Sequence, residues 1–427
     1  MRSIGAWLAG AAALAALAAL AAPAVARADA VTTWNAIASD AIVVTAGQTP
    51  HASALSFAMV QGSVYDAVNA IDGGHRPYLA APPASPFDSK DAAAVTAAHD
   101  VLVALFPTQG SPLDVLRDAS LAGIPDGPAK ERGIDVGEAA AKAMVDARAD
   151  DGRGGSFTFT IGSTPGIWRP TPPNFGLDPT PWVGFVDPFL VPDAEMLRTD
   201  GPNDLASRAY AQDFNEVKEL GSLSSARRTA DQTKAAIFWQ TQALAAWNGV
   251  FRSLAASRGL DIADAARLFA MENLAAADAS IGCWNDKAYW NFWRPITAIR
   301  EADTDGNPAT EADPDWKPLF DPSTPTTGPP LVTPGFPDHP SGHSCNSSAI
   351  VHTLQNFFGT DKIAFDVESS RFPGSSRHFD RFSAALKEII DARVWGGIHF
   401  RTADVQGAVL GKKVANYLRK HYFQPVE

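Results

Sequence analysis

The chain has 427 residues, 46% of them hydrophobic, and a formal net charge of −12 from 35 Lys and Arg against 47 Asp and Glu. This size allows one large core or two, and the acidic balance without basic clusters argues against nucleic acid as the main partner. The two cysteines, Cys283 and Cys345, exclude a disulfide-rich scaffold and leave either one bridge or two buried thiols.

The first 28 residues have the pattern of a secretory signal. Arg2 gives a positive start, an apolar run rich in Ala and Leu follows, and residues 26–28 form an A-x-A cleavage pattern. The alternative is an uncleaved membrane anchor, because the apolar run is long enough to span a bilayer. We expect a signal peptide at 1–28, a secreted or periplasmic protein, and no membrane attachment after cleavage.

Helical patterns dominate the rest of the chain, because apolar residues recur at spacings of three and four. The predicted helices cover residues 54–71, 91–105, 128–148, 203–219, 226–257, 262–294, 342–358, 379–392 and 401–421. The best strand candidate is "SFTFTI" at 156–161. The pattern predicts an all-α bundle in one domain at 29–427, with an N-terminal helical half to about residue 225 and a catalytic half from about residue 226.

Two irregular stretches interrupt the helices. Residues 151–200 hold eight prolines, which forbids long helices and predicts an extended strap over the surface. Residues 302–340 are rich in Pro, Thr, Asp and Gly, and they include the acidic run "DTDGNPATEADPD". This run lacks the full ligand order and the closing glutamate of a calcium loop, so we interpret it as an acidic turn.

The stretch "KAYWNFWRPITAIR" places Lys287 and Arg294 seven residues apart, the spacing of two cations on one helix face. Pro295 disfavours helical geometry for the residue before it, so the helix should end or kink there. Arg294 would then project from a helix end. The ordinary alternative is a solvated basic edge on an aromatic core helix.

A second cluster lies in "FPDHPSGHSCNSS". Pro337 and Pro340 exclude helix before Ser341, so Ser341, Gly342 and His343 should lie at a helix N-terminus. Free N–H groups and the positive end of the helix dipole make such a terminus an anion cradle. His343 can transfer protons near neutral pH. The alternative is a capped helix with an ordinary surface histidine.

A third cluster lies in "ARVWGGIHFRTAD". Gly396 and Gly397 should break the helix, so that Arg393 closes one helix and His399 opens the next, with both side chains directed at one spot. The alternative is a Gly-Gly turn between core helices. Four other histidines without such a context are interpreted as surface or structural residues: His339, His352, His378 and His421.

Together the clusters supply cations, hydrogen-bond donors and two bases, a set that suits a tetrahedral oxyanion with a histidine able to bond its central atom. Three carboxylates remain candidates for orienting His343: Asp231, Asp278 and Asp286.

In this order, Lys-x6-Arg-Pro, Pro-Ser-Gly-His and Arg-x5-His resemble the three motifs of the vanadium-dependent haloperoxidases, which the type-2 phosphatidic acid phosphatases share. The resemblance spans residues 287–404 and implies a helical bundle of the vanadium haloperoxidase type that binds vanadate, with phosphate able to occupy the same site. The implied oxyanion ligands are Lys287, Arg294, Ser341, Gly342, Arg393 and His399. The resemblance also implies three catalytic roles: His399 bonds vanadium or attacks phosphorus, His343 handles protons, and Lys287 polarises bound peroxide.

Within this superfamily, Trp284 and Phe336 match aromatic residues of the halide pocket in fungal chloroperoxidases. Ala392 replaces the serine that usually precedes the third-motif arginine. The acid that phosphatases carry four residues after the last histidine is displaced by one position to Asp404 and, on a helix, would face elsewhere, because one residue turns about 100°.

The resemblance therefore implies a secreted vanadate-dependent haloperoxidase that oxidises halide with hydrogen peroxide and could halogenate an organic acceptor. One alternative is an acid phosphatase that works through a phosphohistidine. The other is an oxyanion-binding protein without turnover, which would need no histidine pair. The halide, the acceptor and the choice between a monomer and a homodimer stay open.

Overall fold

Thirteen α-helices and one short hairpin form the part of the chain, residues 29–426, that the computed structural model describes. The signal peptide expected at 1–28 lies outside these residues. The helices of the first half are α1 (Ala30–Ser39), α2 (Pro50–Asp72), α3 (Lys90–Leu105), α4 (Gly110–Ala122), α5 (Pro128–Ala147) and α6 (Arg208–Leu220). Those of the second half are α7 (Ala230–Phe238), α8 (Ala243–Arg258), α9 (Ile262–Trp290), α10 (Pro295–Arg300), α11 (Gly342–Phe358), α12 (Phe382–Trp395) and α13 (Arg401–His421).

The predicted all-α class is confirmed, and all nine predicted helical segments contain helix. The segment predicted at 226–257 is divided, because α7 ends at Phe238 and α8 begins at Ala243. Sequence periodicity missed α1, α4 and the six-residue α10. The division of the chain into halves at about residue 226 stays a prediction.

Helix α9 forms the centre of the bundle. Every residue from Leu268 to Trp284 is buried, and the helix packs against α2, α11 and α13. A helix that is buried all round must present small residues where other helices approach, and α9 has a run of alanines from Ala275 to Ala277. This position carries Lys287, in the last turn of α9, into the interior.

Helices α11 and α13 pack unusually close together. A Cβ atom on Gly411 would lie 2.2 Å from the carbonyl oxygen of Cys345, and one on Gly407 would lie 2.8 Å from that of Ser341. Any larger residue would separate the helices. These glycines therefore bring the start of α11, which carries the second motif, against the start of α13, which follows the third.

The expected straps are confirmed, since residues 151–200 contain only two short 3-10 turns and residues 302–340 contain one. The strand predicted at 156–161 is wrong, because this segment has no neighbouring strand and its Phe157 and Phe159 pack into the core instead. The two strands that the structure describes are β1 (Phe365–Glu368) and β2 (Ser376–Phe379), paired antiparallel.

The acidic run at 303–315 is a turn bonded within itself. Asp305 Oδ1 accepts hydrogen bonds from Asn307 N at 2.8 Å and from Thr310 Oγ1 at 3.0 Å. Across residues 29–426, no group of three or more His, Cys, Asp or Glu residues could hold a metal ion. In the same part of the chain, no helix combines the length and the apolar character that crossing a bilayer requires.

Candidate active site

Lys287 and Arg294 do not share one helix, which corrects the expectation of two cations on one helix face, while the predicted helix end before Pro295 is confirmed. Helix α9 ends at Trp290, Asn291 takes a left-handed conformation with φ 45°, and Arg294 is the extended N-cap of α10. Pro295 occupies the first position of α10, where its missing N–H costs no hydrogen bond. The two cations therefore approach the site from two separate helix ends.

The ammonium group of Lys287 is fully buried and is held by main-chain carbonyls of the second motif. Its Nζ donates to Pro337 O at 2.8 Å, Asp338 O at 3.1 Å and Pro340 O at 2.5 Å. Nζ also lies 5.0 Å from the ring centroid of Phe336. Burial lowers the pKa of Lys287 to about 8, so the side chain is still mostly cationic at neutral pH.

Arg294 and Arg393 are almost completely buried, and each has one guanidinium nitrogen without a protein partner. Arg294 donates from Nε to Phe336 O at 2.8 Å and from Nη1 to Ile398 O at 2.7 Å. Arg393 donates from Nη2 to Gln240 Oε1 at 2.9 Å. Within residues 29–426, neither Arg294 Nη2 nor Arg393 Nε has a hydrogen-bond partner. Such donors suit a ligand that brings its own acceptor oxygens.

Helix α11 begins at Gly342 with Ser341 as its extended N-cap, so the predicted helix N-terminus is confirmed. The Ser341 hydroxyl makes no capping bond and, among the described residues, has no hydrogen-bond partner. A Cβ atom on Gly342 would lie 3.0 Å from the ring of Trp284, so a side chain here would displace that indole. The hydroxyl and the free N–H groups of the first turn form a donor-rich helix end.

His343, in the first turn of α11, lines a cavity and is bonded through its ring to the main-chain carbonyl of Trp239. Its Nε2 is buried without a partner in the described chain. Burial lowers the pKa of His343 well below its ordinary value, and the charge of Arg393 lowers it further. The imidazole is therefore neutral at pH 7 and can accept a proton from a ligand.

His399 lies between Arg294 and Asp338. Arg294 Nη1 is 3.2 Å from His399 Nε2, and Asp338 Oδ1 is 2.9 Å from His399 Nδ1. Arginine can only donate, so Nε2 is the acceptor and the ring proton belongs on Nδ1. Burial lowers the pKa of His399 well below its ordinary value, and the charges of Arg294 and Lys287 lower it further. The lone pair on Nε2 accepts from Arg294 in this arrangement, so it can bond an electrophilic centre once that hydrogen bond is exchanged.

None of the three carboxylates considered for His343 reaches it. Asp278 accepts bonds from the main chain at 189–191, Asp286 from Thr199, and Asp231 from Arg377. The carboxylate in the site is instead Asp338, three residues before Ser341, and it serves His399. Its position inside the second motif was a signal, but nothing in the spacing connects it to a histidine 61 residues later.

Asp404 is fully buried near the motifs, since Ser341 and Arg393 are among the groups that act on its pKa, and its predicted orientation away from His399 stays a prediction. It accepts a hydrogen bond from Ser344 Oγ at 2.7 Å. Burial raises the pKa of Asp404 to about 7. The structure nevertheless provides His399 with a carboxylate through Asp338, so the displaced acid does not weigh against a nucleophilic histidine.

A cavity of about 250 Å³ connects the second and third motifs. Its walls include Gly342, His343, Arg393 and His399, together with both residues predicted for the halide pocket, Trp284 and Phe336. The remaining predicted ligands, Lys287, Arg294 and Ser341, are fully buried behind these walls. The structure thus brings all three motifs to one place, while the role of each residue stays a prediction.

Sequence reasoning missed His51, a third histidine in the cavity wall, which comes from the first turn of α2. Its context gave no signal, because it follows Pro50 far from all three motifs. The histidines interpreted as structural or surface residues keep that interpretation. His339 is buried beside Thr199 at 3.0 Å, and His378 is exposed on the hairpin.

Cys283 and Cys345 are free and buried, so the bridge considered from the sequence is not formed. Cys283 Sγ lies 3.6 Å from Pro340 O. Burial raises the pKa of the Cys345 thiol well above its ordinary value. Both cysteines act as small core residues between α9 and α11.

Vanadate or phosphate fits the residues present. Four buried polar atoms lack partners within residues 29–426, namely Arg294 Nη2, Arg393 Nε, Ser341 Oγ and His343 Nε2; His343 and Arg393 line the same cavity as His399, and Arg294 contacts His399. Two guanidinium groups, a hydroxyl and a helix N-terminus are donors that match the oxygens of a tetrahedral anion. The geometry therefore defines a helical-bundle protein with a buried, donor-rich cluster beside a neutral histidine, a set that suits an oxyanion.

Comparisons with known proteins agree with this class. Residues 267–427 match the family described as the second helical-bundle domain of VCPO. The vanadium chloroperoxidase of Curvularia inaequalis is 28% identical over 232 residues, which cover 42% of this chain and 37% of that protein. The match thus spans little more than a third of the length of that curated relative.

Solved structures extend the similarity of fold to most of the chain. The crystal structure of the first bacterial vanadium-dependent iodoperoxidase superposes with a TM-score of 0.80 and 22% identity, covering 94% of this chain and 99% of that one. A holo-type bacterial vanadium-dependent chloroperoxidase gives 0.68 and 17%, covering 87% and 92%. The C-terminal part of the chain is thus similar to the second helical-bundle domain of VCPO, and most of the chain shares the fold of bacterial vanadium-dependent haloperoxidases.

Proposed function

We propose that the protein is a vanadate-dependent haloperoxidase that oxidises halide with hydrogen peroxide to hypohalous acid. One observation carries the proposal: Arg294, Arg393 and Ser341 each have a buried donor without a partner among residues 29–426, and His399 lies 3.2 Å from Arg294 and lines one cavity with Arg393. Bound vanadate would supply Lewis-acid activation of peroxide without a change in its own oxidation state.

The residues of the chain divide the work in this proposal. Arg294, Arg393 and Ser341 would hold the oxyanion oxygens, and His399 would bond the central atom through Nε2. Lys287 adds positive charge that favours electron withdrawal from peroxide, because it remains cationic at neutral pH. His343 would take a proton from peroxide and return it to the departing oxygen, since its Nε2 is unpartnered among the described residues.

The surroundings favour strong electrostatics. Lys287 and Arg294 are fully buried, and Arg393 is 1% exposed. Charges in a dry, fixed site stabilise developing negative charge far better than the same charges in water. The three cations can therefore hold an anion even though the whole chain carries a formal net charge of −12.

A second candidate function, an acid phosphatase with a phosphohistidine, is favoured by one observation. Asp338 Oδ1 lies 2.9 Å from His399 Nδ1, and a carboxylate there would stabilise the positive charge that His399 gains on attacking phosphorus. The apolar rings of Trp284 and Phe336 in the same cavity favour the haloperoxidase, because a phosphate group needs no such lining.

The test is to add orthovanadate to the purified protein and assay iodide, bromide and chloride oxidation with hydrogen peroxide. Phosphatase activity is assayed on the same preparation before loading. A haloperoxidase gains halide oxidation on loading, and phosphate competes with vanadate because the same donors hold both anions. Strong phosphoester hydrolysis that vanadate only inhibits, with no halide oxidation, would replace the proposal by the phosphatase.

A further inference from the structure

His51 forms one end of a hydrogen-bonded chain in the cavity wall. Its Nε2 lies 3.1 Å from Asp178 Oδ1, and Asp178 Oδ2 accepts a bond from Trp284 Nε1 at 2.7 Å. The His51 ring stacks on Trp284 with centroids 3.9 Å apart and planes at 23°. Both side chains of the His51–Asp178 pair are buried. The strap between α5 and α6 supplies Asp178, so three distant segments meet here.

The bonds of His51 define which ring nitrogen is free. Nε2 also lies 2.5 Å from Thr180 Oγ1 and 3.2 Å from Thr49 Oγ1. These hydroxyls can accept as well as donate, whereas a carboxylate can only accept, so Nε2 carries the ring proton and Nδ1 holds a lone pair. Among residues 29–426, Nδ1 has no hydrogen-bond partner. It is also not fully enclosed by protein atoms. The cavity is the open space that His51 borders. Nδ1 therefore presents an acceptor to a ligand in that cavity.

The indole of Trp284 offers this ligand no donor, because Asp178 already occupies its N–H. The cavity wall instead presents aromatic surface. The ring centroids of Trp284 and Phe336 lie 5.1 Å apart, and the His51 ring packs edge-on to Phe336 at a centroid distance of 6.2 Å. Leu177, at the cavity wall, is 57% exposed. Apolar surface adds no binding free energy for inorganic substrates, whereas an organic ring binds more tightly when it is buried against such a surface.

The volume is sufficient for such a ligand. Roughly 150 Å³ of protein cavity holds a benzene ring, and this cavity measures about 250 Å³. An aromatic ring against the Trp284 wall would have His343 and His399 in the same cavity. We propose that His51 and the adjoining rings of Trp284 and Phe336 form the binding site for a phenol, whose O–H donates to His51 Nδ1 and whose ring is halogenated; this rests on the proposed haloperoxidase function.

The chemistry balances with hypohalous acid as the oxidant. The ring carbon of the phenol forms a bond to halogen as the halogen–oxygen bond breaks, while the phenol O–H proton passes to His51 Nδ1. The leaving hydroxide takes the proton from His51 Nδ1 and becomes water. The ring C–H proton then passes to the phenolic oxygen, which restores the aromatic ring and the O–H group. The products are a halophenol and water, and His51 ends neutral, having acted as a general base.

The test compares phenol with anisole, which has the same ring but no O–H donor. Binding to the phosphate-loaded protein is measured by calorimetry for wild type and for His51→Phe, which keeps an aromatic ring without an acceptor. Wild type should bind phenol at least about tenfold more tightly than anisole, as expected for one hydrogen bond to a buried acceptor. His51→Phe should lose this preference while binding anisole as before. His378→Phe, on the exposed hairpin, should behave as wild type.

Asp178→Asn gives a second variant with the His51 ring retained. An amide N–H facing Nε2 would move the ring proton to Nδ1, so the preference for phenol should fall there too. Equal binding of phenol and anisole by wild type, or a preference that survives in both variants, would overturn the inference. Iodide oxidation to triiodide, assayed without any aromatic acceptor, separates the two proposals.

If iodide is oxidised but the protein does not prefer phenol to anisole, the proposed haloperoxidase function is supported and the proposed phenol site is refuted. If phenol binding depends on His51 but no halide is oxidised, the assignment of the site to halogenation fails.

Discussion

Asp338 Oδ1 lies 2.9 Å from Nδ1 of His399, and both side chains are almost completely buried. A carboxylate at this distance favours the ring proton on Nδ1 and, in the proposed function, leaves Nε2 to bond the central atom. Burial raises the pKa of Asp338 well above its ordinary value, against the attraction of Arg294 and Lys287. We therefore expect the pair to determine which edge of the imidazole faces a bound oxyanion.

The role of the carboxylate is tested with Asp338→Asn. An amide in this place can donate to Nδ1 and favour the wrong tautomer, so vanadate affinity should fall by roughly ten- to a hundredfold, as for other groups that orient a ligand. Calorimetric titration with orthovanadate measures the change. Asp278→Asn, which removes a buried carboxylate bonded to residues 189–191, should leave the affinity near that of wild type. Equal affinities in both variants would contradict the orienting role.

Substitution of His399 and of His343 should impair different steps, vanadate binding and turnover respectively. His399→Ala should lose tight vanadate binding, because the bond to the central atom is gone. His343→Ala should keep vanadate but lose turnover, on the order of a hundredfold or more, as expected for a missing acid–base group. Titration of vanadate and steady-state halide oxidation on both variants separate the roles. Loss of vanadate binding in both variants to the same degree would refute the division.

Oxyanion affinity should depend on the charge of Lys287. Its pKa is lowered by burial to about 8, so the ammonium charge is present below pH 8 and is lost above it. Sulfate keeps its own charge over this range, and its dissociation constant should rise roughly tenfold per pH unit above pH 8 until the pKa of the complex is reached. Lys287→Met should bind sulfate weakly with no step near pH 8, whereas the exposed Lys142→Met should retain the step. A step that persists in Lys287→Met would assign it to another group.

Glu272 should make stability depend on pH. It is fully buried in α9, neither carboxyl oxygen has a partner among residues 29–426, and burial raises its pKa well above the ordinary value. As pH rises above the unfolded pKa, the unfolded chain ionises while folded Glu272 stays protonated, so stability falls by up to about 1.4 kcal/mol per pH unit.

Glu272→Gln keeps the shape and removes this ionisation. Compared with wild type, the variant should therefore be more stable at pH 8 than at pH 5, with a larger free energy of unfolding relative to wild type at the higher pH. Urea unfolding at both values measures the difference, with the exposed Glu138→Gln as the matched control. An identical pH dependence in wild type and Glu272→Gln would show that Glu272 does not hold its proton in the folded state.

The two cysteines should be thiols in the folded protein. Both are buried and unbridged, and burial raises the pKa of Cys345. A thiol reagent should therefore find none accessible in the native protein and two after unfolding without reductant. Finding none after unfolding would show that a bridge had formed.

The sequence alone determined the features that local chemistry controls. Prolines before Ser341 and helical spacing after it placed a helix N-terminus there, and the Gly396-Gly397 pair placed a break between Arg393 and His399. Motif order indicated a resemblance to the vanadium-dependent haloperoxidases, which the match of residues 267–427 supports. These predictions succeeded because capping, helix breaking and proline geometry act within a few residues.

Only the tertiary structure determined which other residues contact the motifs. It placed Asp338 against His399, brought His51 and Asp178 from the first half of the chain into the cavity wall, and divided one predicted helix so that Trp239 and Gln240 face the site. Such contacts join residues far apart in sequence, and they depend on how close the helices pack. Local residue spacing does not encode the distance between two packed helices. Glycines such as Gly411 determine this distance, because they let two helix backbones come into contact.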